Sequence, residues 1–151
     1  MSLGRFICLE GIDGAGTTTQ LHRLTAWLES ESFTVFPTFE PSDGDIGQHI
    51  RKILAGEGSS YPESVALLFA ADRMEHLQIQ ILPKLASGVH VLCDRFLGSS
   101  FAYQSLHSDP EWVRTINRYA QKPDLTLYLR VDVDTALERL TVREGEKREL
   151  F

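Results

Sequence analysis

The sequence predicts a three-layer α/β domain, a parallel sheet with helices on both faces. Two observations carry this. Short apolar runs of strand length alternate along the chain with segments of helical period ten or more residues long. The first of those runs ends in a glycine-rich turn at 11–16 that leads straight into a helix.

The elements follow in order. "RFICLEG" is a mostly apolar run closed by glycine and reads as a buried strand. Leu21, Leu24, Trp27 and Leu28 recur at helical spacing, so a helix is expected from about Thr17 to Glu31. "FTVFPTF" is a second strand, and Pro37 assigns it to an edge or an early end. "PSDGDIG" is a loop, and Ile46, Ile50, Ile53 and Leu54 mark a short helix that stops at "AGEG". Pro62 suits the first turn of a long helix running through Val65, Leu68, Phe69 and Ala71 toward Ile81. "GVHVLCDR" is a buried strand ended by charge, and Asp109–Pro110 cap a further helix. "DLTLYLRVD" is the fourth strand, and "DTALERLTVRE" is a helix rich in arginine at its far end. No repeat or second domain is visible, so residues 1–151 read as one domain. The pattern halts just after a helix, which leads to the expectation that the last strand is missing.

Composition bounds the function. The chain has 151 residues, 42% apolar and 24% charged, ordinary values for a globular domain with a real core. Its net charge of −6, scattered along the chain, argues against nucleic acid or an anionic membrane surface as the main partner. No apolar run approaches the ~20 residues of a membrane span. Cys8 and Cys93 each sit inside an apolar run, which suggests buried free thiols and fits a reducing cytoplasm.

The turn "GIDGAGTTTQ" is nearly the phosphate-binding pattern G-x-x-x-x-G-K-[ST]. Gly11 and Gly16 have the spacing, and Thr18 fills the hydroxyl position, but Thr17 stands where lysine belongs. Between a strand and a helix, such a loop turns successive backbone N–H groups into one hollow at the positive helix end. Asp13, Gly14, Ala15 and Gly16 would form the cradle around phosphate. The spacing alone is weak, and a tight strand-to-helix turn would look similar. A second motif decides between them: "VHVLCD" ends in Asp94, the place where phosphate-loop enzymes hold Mg²⁺, with Thr18 as hydroxyl partner. Arg95 follows with a fork suited to phosphate. Together these give a doubly wound sheet of the P-loop NTPase type.

With those residues in view, the sequence resembles the thymidylate kinase family of nucleoside monophosphate kinases. "FICLEGIDGAGTTTQ" is similar to the family's F-x-x-x-E-G-x-D-G-x-G-K-[ST]-T-Q. "FEPSDGDIG" resembles its R-E-P loop, with Phe39 in place of arginine. "LLFAADRMEH", "DRFLGSSFAYQ" and "KPDLTLYLRVDVDTALERL" match three further motifs in order, so the likeness spans Phe6 to Phe151. The resemblance implies transfer of the γ-phosphoryl of ATP to dTMP, giving dTDP for dTTP synthesis. It also implies Mg²⁺, a five-stranded parallel sheet and a homodimer packed through helices. It implies that Asp13 meets the sugar and the metal region, Phe69 stacks on thymine, and Arg73 bonds the base and reaches phosphate. Arg95 would hold the acceptor phosphate, with Phe39 beside it, and Ser99, Ser100, Tyr103 and Gln104 would line the base pocket. Residues 139–150 match the mobile lid. Because Gly14 replaces an arginine used by other members, the catalytic arginine is expected from the lid, which carries Arg139, Arg143 and Arg148, with Arg143 or Arg148 as the choice.

Phe69 and Arg73 stand four apart and so share a helix face, an aromatic plate beside a guanidinium. Three functions remain open on the sequence: a thymidylate kinase slowed by Thr17, a silent nucleotide-binding module of the same fold, and a kinase for another deoxynucleotide.

Overall fold

The computed structural model describes residues 3–58 and 61–149, with side chains through Val142. Four strands, β1 (Phe6–Glu10), β2 (Val35–Phe39), β3 (His90–Asp94) and β4 (Leu125–Tyr128), form one parallel sheet in the order β2-β3-β1-β4. Cys8 pairs with Cys93 and with Thr126, and Leu9 with Asp94, so the strand ends are level. β2 lies at an edge, where Pro37 is tolerated because a missing N–H costs an edge strand least.

The strands alternate their side chains across the sheet. Phe6, Cys8, Val91 and Cys93 face one way and pack with Leu77, Ile81, Leu85 and Phe96. Leu9 and Leu92 face the other way and pack with Leu21, Leu24 and Leu28 of helix α1 (Thr17–Ser30). These two clusters make the three layers. Trp27, placed by its spacing on the packing face, is 57% exposed instead. The stripe that meets the sheet is narrower than the apolar stripe in the sequence, since Leu21, Leu24, Thr25 and Leu28 already fill it.

Helix α2 (Asp45–Leu54) packs on α3 (Pro62–His76), which has Pro62 in its first turn as expected. The long helix does not stop at Ile81. It widens into a π turn at Leu77–Ile81 and resumes as α4 (Leu82–Ala86). Pro83 lies just beyond the π turn, where its ring and missing donor cannot be fitted into a regular α-helical ladder. After β3 come α5 (Leu97–Tyr103) and α6 (Pro110–Ile116). Asp109 caps α6 by accepting from the Trp112 N–H at 2.8 Å. α5 was not foreseen, because "LGSS" has the composition of a loop.

β4 carries less cover than a buried strand: Leu125 and Tyr128 are exposed, and only Leu127 joins a core cluster. Helix α7 (Val133–Glu149) follows it and brings Ala136 against the glycine loop. Both cysteines are free and fully buried, as the sequence suggests. Burial and the neighbouring Cys8 thiol push Cys93 well above the usual thiol range. Among the described residues, no helix is long and apolar enough to cross a membrane.

Candidate functional site

In an open parallel sheet, ligands bind beyond the carboxyl ends of the strands, where the strand order reverses. Here that point lies between β1 and β3, at Glu10 and Asp94. Most of the predicted site residues gather around it in three groups.

The first group is the glycine loop. Gly14 and Gly16 adopt φ of +80° and +90°, a region that favours glycine. At Gly14 glycine is required twice over, since a Cβ would lie 2.6 Å from the Ala136 carbonyl oxygen of α7. The loop ends in α1, whose first-turn N–H groups have no partner within the helix. Thr17 begins that helix and is 5% exposed, so the lysine position holds a buried neutral side chain.

The second group is Thr18 with Asp94. The Thr18 hydroxyl donates to Asp94 Oδ2 at 2.5 Å. Asp94 Oδ1 is buried and has no hydrogen-bond partner. A buried carboxylate oxygen without a partner is costly unless something else binds it. A hydroxyl beside a half-used carboxylate suits Mg²⁺, which takes few protein ligands and fills the rest with water and phosphate oxygens. Among the described residues there is no group of three or more His, Cys, Asp and Glu side chains able to hold a metal.

The third group lines a cavity of about 320 Å³ whose walls include Asp13, Phe69, Arg73, Arg95, Ser99, Ser100, Tyr103 and Gln104. Phe69 and Arg73 reach it from one helix, as their spacing suggests. Arg95 stands between this cavity and the glycine loop. It follows β3 in the left-handed region, φ +67°, an uncommon conformation for a residue with a side chain. Its Nη2 donates to Asp13 Oδ1 at 2.6 Å, and Nη1 reaches Ser99 Oγ and the Tyr103 hydroxyl, each at 3.4 Å. Burial opposes the Arg95 charge, but Tyr103, Asp13 and Asp94 outweigh it and hold the guanidinium protonated.

Arg73 lines the cavity from within a buried network. Its side chain is 1% exposed and spends its donors inside the protein. Nη1 donates to Asn117 Oδ1 at 2.5 Å. Nη2 donates to Glu40 Oε2 at 2.7 Å and to Ser100 Oγ at 2.8 Å. Only Nε, buried, lacks a partner. Phe39 stands apart from Phe69. It is 42% exposed and lines a separate hollow with Thr18, Asp94 and Arg95, under the Arg51 guanidinium. Arg143 and Arg148 fall on the far part of α7, outside the described side chains.

Sequence reasoning missed Glu10, Glu40 and His76. Buried Glu10 ties β1 to α5, accepting from the Phe96 and Gly98 N–H groups at 3.0 and 2.8 Å and from Ser99 Oγ at 2.6 Å. It leaves no room for a side chain at Gly98, where a Cβ would sit 2.9 Å from its carboxyl carbon. Glu40 was visible only as a motif letter. Its buried place beside Arg73 was the signal, and burial of a charged residue is not visible in one sequence.

A parallel sheet, a glycine loop opening a helix, and a hydroxyl–carboxylate pair beside it define a P-loop nucleotide-binding α/β protein. The thymidylate kinase family profile matches residues 9–151. The chain is 46% identical over 147 residues to a probable thymidylate kinase of Pyrococcus horikoshii, covering 93% of this chain and 71% of that one. It is 42% identical over 146 residues to one of Methanococcus aeolicus (96% and 70%) and 43% over 140 to one of Methanocaldococcus jannaschii (92% and 71%). The chain belongs to the thymidylate kinase family, a family of nucleotide kinases.

Proposed function

We propose that this chain transfers the γ-phosphoryl of ATP to dTMP, with low turnover because Thr17 replaces the loop lysine. The observation that carries the reading is the single cavity shared by Phe69, Tyr103, Gln104 and the Asp13–Arg95 pair. It offers an aromatic wall for a flat base at one end and a cation for its phosphate at the other. The curated relatives named probable thymidylate kinase support dTMP as the acceptor.

In this reading the acceptor base lies against Phe69 with Tyr103 and Gln104 beside it. Arg95 receives its phosphate and keeps it near the glycine loop. The loop's N–H groups hold the ATP phosphates. Thr18 and Asp94 would hold Mg²⁺, which would supply positive charge to offset that of the phosphates. Phosphoryl transfer depends on positioning and charge stabilisation, so these residues need to supply alignment and cations rather than covalent chemistry. A lid arginine, Arg143 or Arg148, would cover the transferring group. We place the enzyme in the cytoplasm as a homodimer, in keeping with the resemblance.

A second reading is a binding module without turnover, favoured by the neutral, buried Thr17. One experiment separates the two. Titration calorimetry should show dTMP binding more tightly than dCMP or dGMP, and a coupled ADP assay should show slow dTMP-dependent turnover. Equal binding of all monophosphates would overturn the acceptor assignment. Selective dTMP binding with no ADP above background would leave the module.

A further inference from the structure

The C-terminal half of α3 presents three buried polar side chains, Asp72, Arg73 and His76, none more than 2% exposed. Each takes hold of the segment that leaves β2. Asp72 accepts from the Ser42 N–H at 2.7 Å and from its hydroxyl at 2.5 Å. Arg73 donates to Glu40 Oε2 at 2.7 Å. His76 lies 3.3 Å through Nδ1 from Glu40 Oε1 and 2.8 Å through Nε2 from Thr38 Oγ1.

The two Glu40 oxygens are thus divided, one to Arg73 and one to His76. An ionised carboxylate only accepts, so the Nδ1 proton must sit on the Glu40 side. In the neutral ring Nε2 then accepts from the Thr38 hydroxyl. His76 satisfies the oxygen that Arg73 does not reach. Left bare, that oxygen would be a buried unpaired acceptor, and the carboxylate would gain by turning toward another donor. Among the described residues Glu40 is the one anion that holds Arg73, beside Asn117 and the Phe96 carbonyl, and Arg73 carries that position to Ser100 Oγ and to the cavity wall.

We propose that His76 is a positioning residue for the acceptor site: its Nδ1–H fixes Glu40, which fixes Arg73 and Ser100 against the base. His76 is absent from the cavity lining. The inference rests on the acceptor reading given above and adds a residue through which acceptor affinity is set.

The test compares His76→Asn, His76→Gln and His76→Leu in the full chain. An asparagine amide can replace the Nδ1 donor, whereas a glutamine amide falls nearer Nε2 and serves Thr38 instead. Calorimetry would measure dTMP and, separately, MgATP, with thermal unfolding recorded for each variant. His76→Leu should weaken dTMP about 10-fold, the scale of one hydrogen bond to a charged group. His76→Asn should recover most of that loss, and His76→Gln should not, even at equal thermal stability. MgATP affinity should be the same in all variants. If His76→Leu does not fold, the Asn and Gln pair alone decides. The inference is overturned if every variant binds dTMP as the wild type does, or if His76→Asn binds it no better than His76→Gln. A wild-type chain that binds no dTMP overturns the acceptor reading itself, and this inference with it.

Discussion

The proposed acceptor side and the proposed donor side of the site are built from different materials. Around the acceptor cavity, charged side chains are buried in matched sets: Arg73 with Glu40 and Asn117, Glu40 with His76, Glu10 with the start of α5. At the glycine loop the polar groups on offer are backbone N–H dipoles, and the side chains are a neutral Thr17 and a half-used Asp94. A wall of paired side chains is rigid and selective but fails badly when one partner is lost. A backbone cradle asks little of its side chains, except where glycine itself is required as at Gly14, but it holds less charge.

The largest effect expected from that difference is on stability. Glu40→Ala would strand the buried Arg73 charge and should destabilise the fold by about 3–5 kcal/mol in denaturant unfolding. A loss near zero would mean that the acceptor wall is as forgiving as the loop. Next comes Thr17→Lys, which should raise dTMP-dependent ADP production by about 10²-fold, the scale of one restored charge at a transition state. Acceptor affinity should scarcely change, because Thr17 is not among the residues that line that cavity. Unchanged turnover would show that the donor loop's cation comes from elsewhere. Phe69→Ala should weaken dTMP by about 1–3 kcal/mol in calorimetry, as expected for one base stacked on an aromatic ring. The smallest effect sharpens the comparison from outside the site. Asp109→Ala removes only the α6 cap and should cost about 1 kcal/mol of stability while leaving dTMP affinity intact.

The strands were legible because their signals are local: apolar runs, a closing glycine, Pro37 at an edge. The glycine loop and Asp94 were legible for the same reason, since each needs only its own strand end. The partners of Glu10 were not, because they lie 86 to 89 residues away and nothing in "LEG" announces them. Helix α5 was hidden for a related cause. Its glycine and serines are poor helix formers, and its start is held by the Glu10 carboxylate from another strand. Arg73 lines the cavity on the helix face its spacing shares with Phe69, but its burial and its partners belong to the packing and not to its spacing.

Cys8 and Cys93 stand at the same rung of neighbouring strands, sealed from solvent. The protein therefore carries its own gauge of cooperative opening. A thiol reagent can reach neither sulfur until the centre of the sheet parts, and what exposes one exposes its neighbour. Alkylation should proceed as one slow phase for both sulfurs, and a tightly bound acceptor should slow it in proportion to the stability it adds.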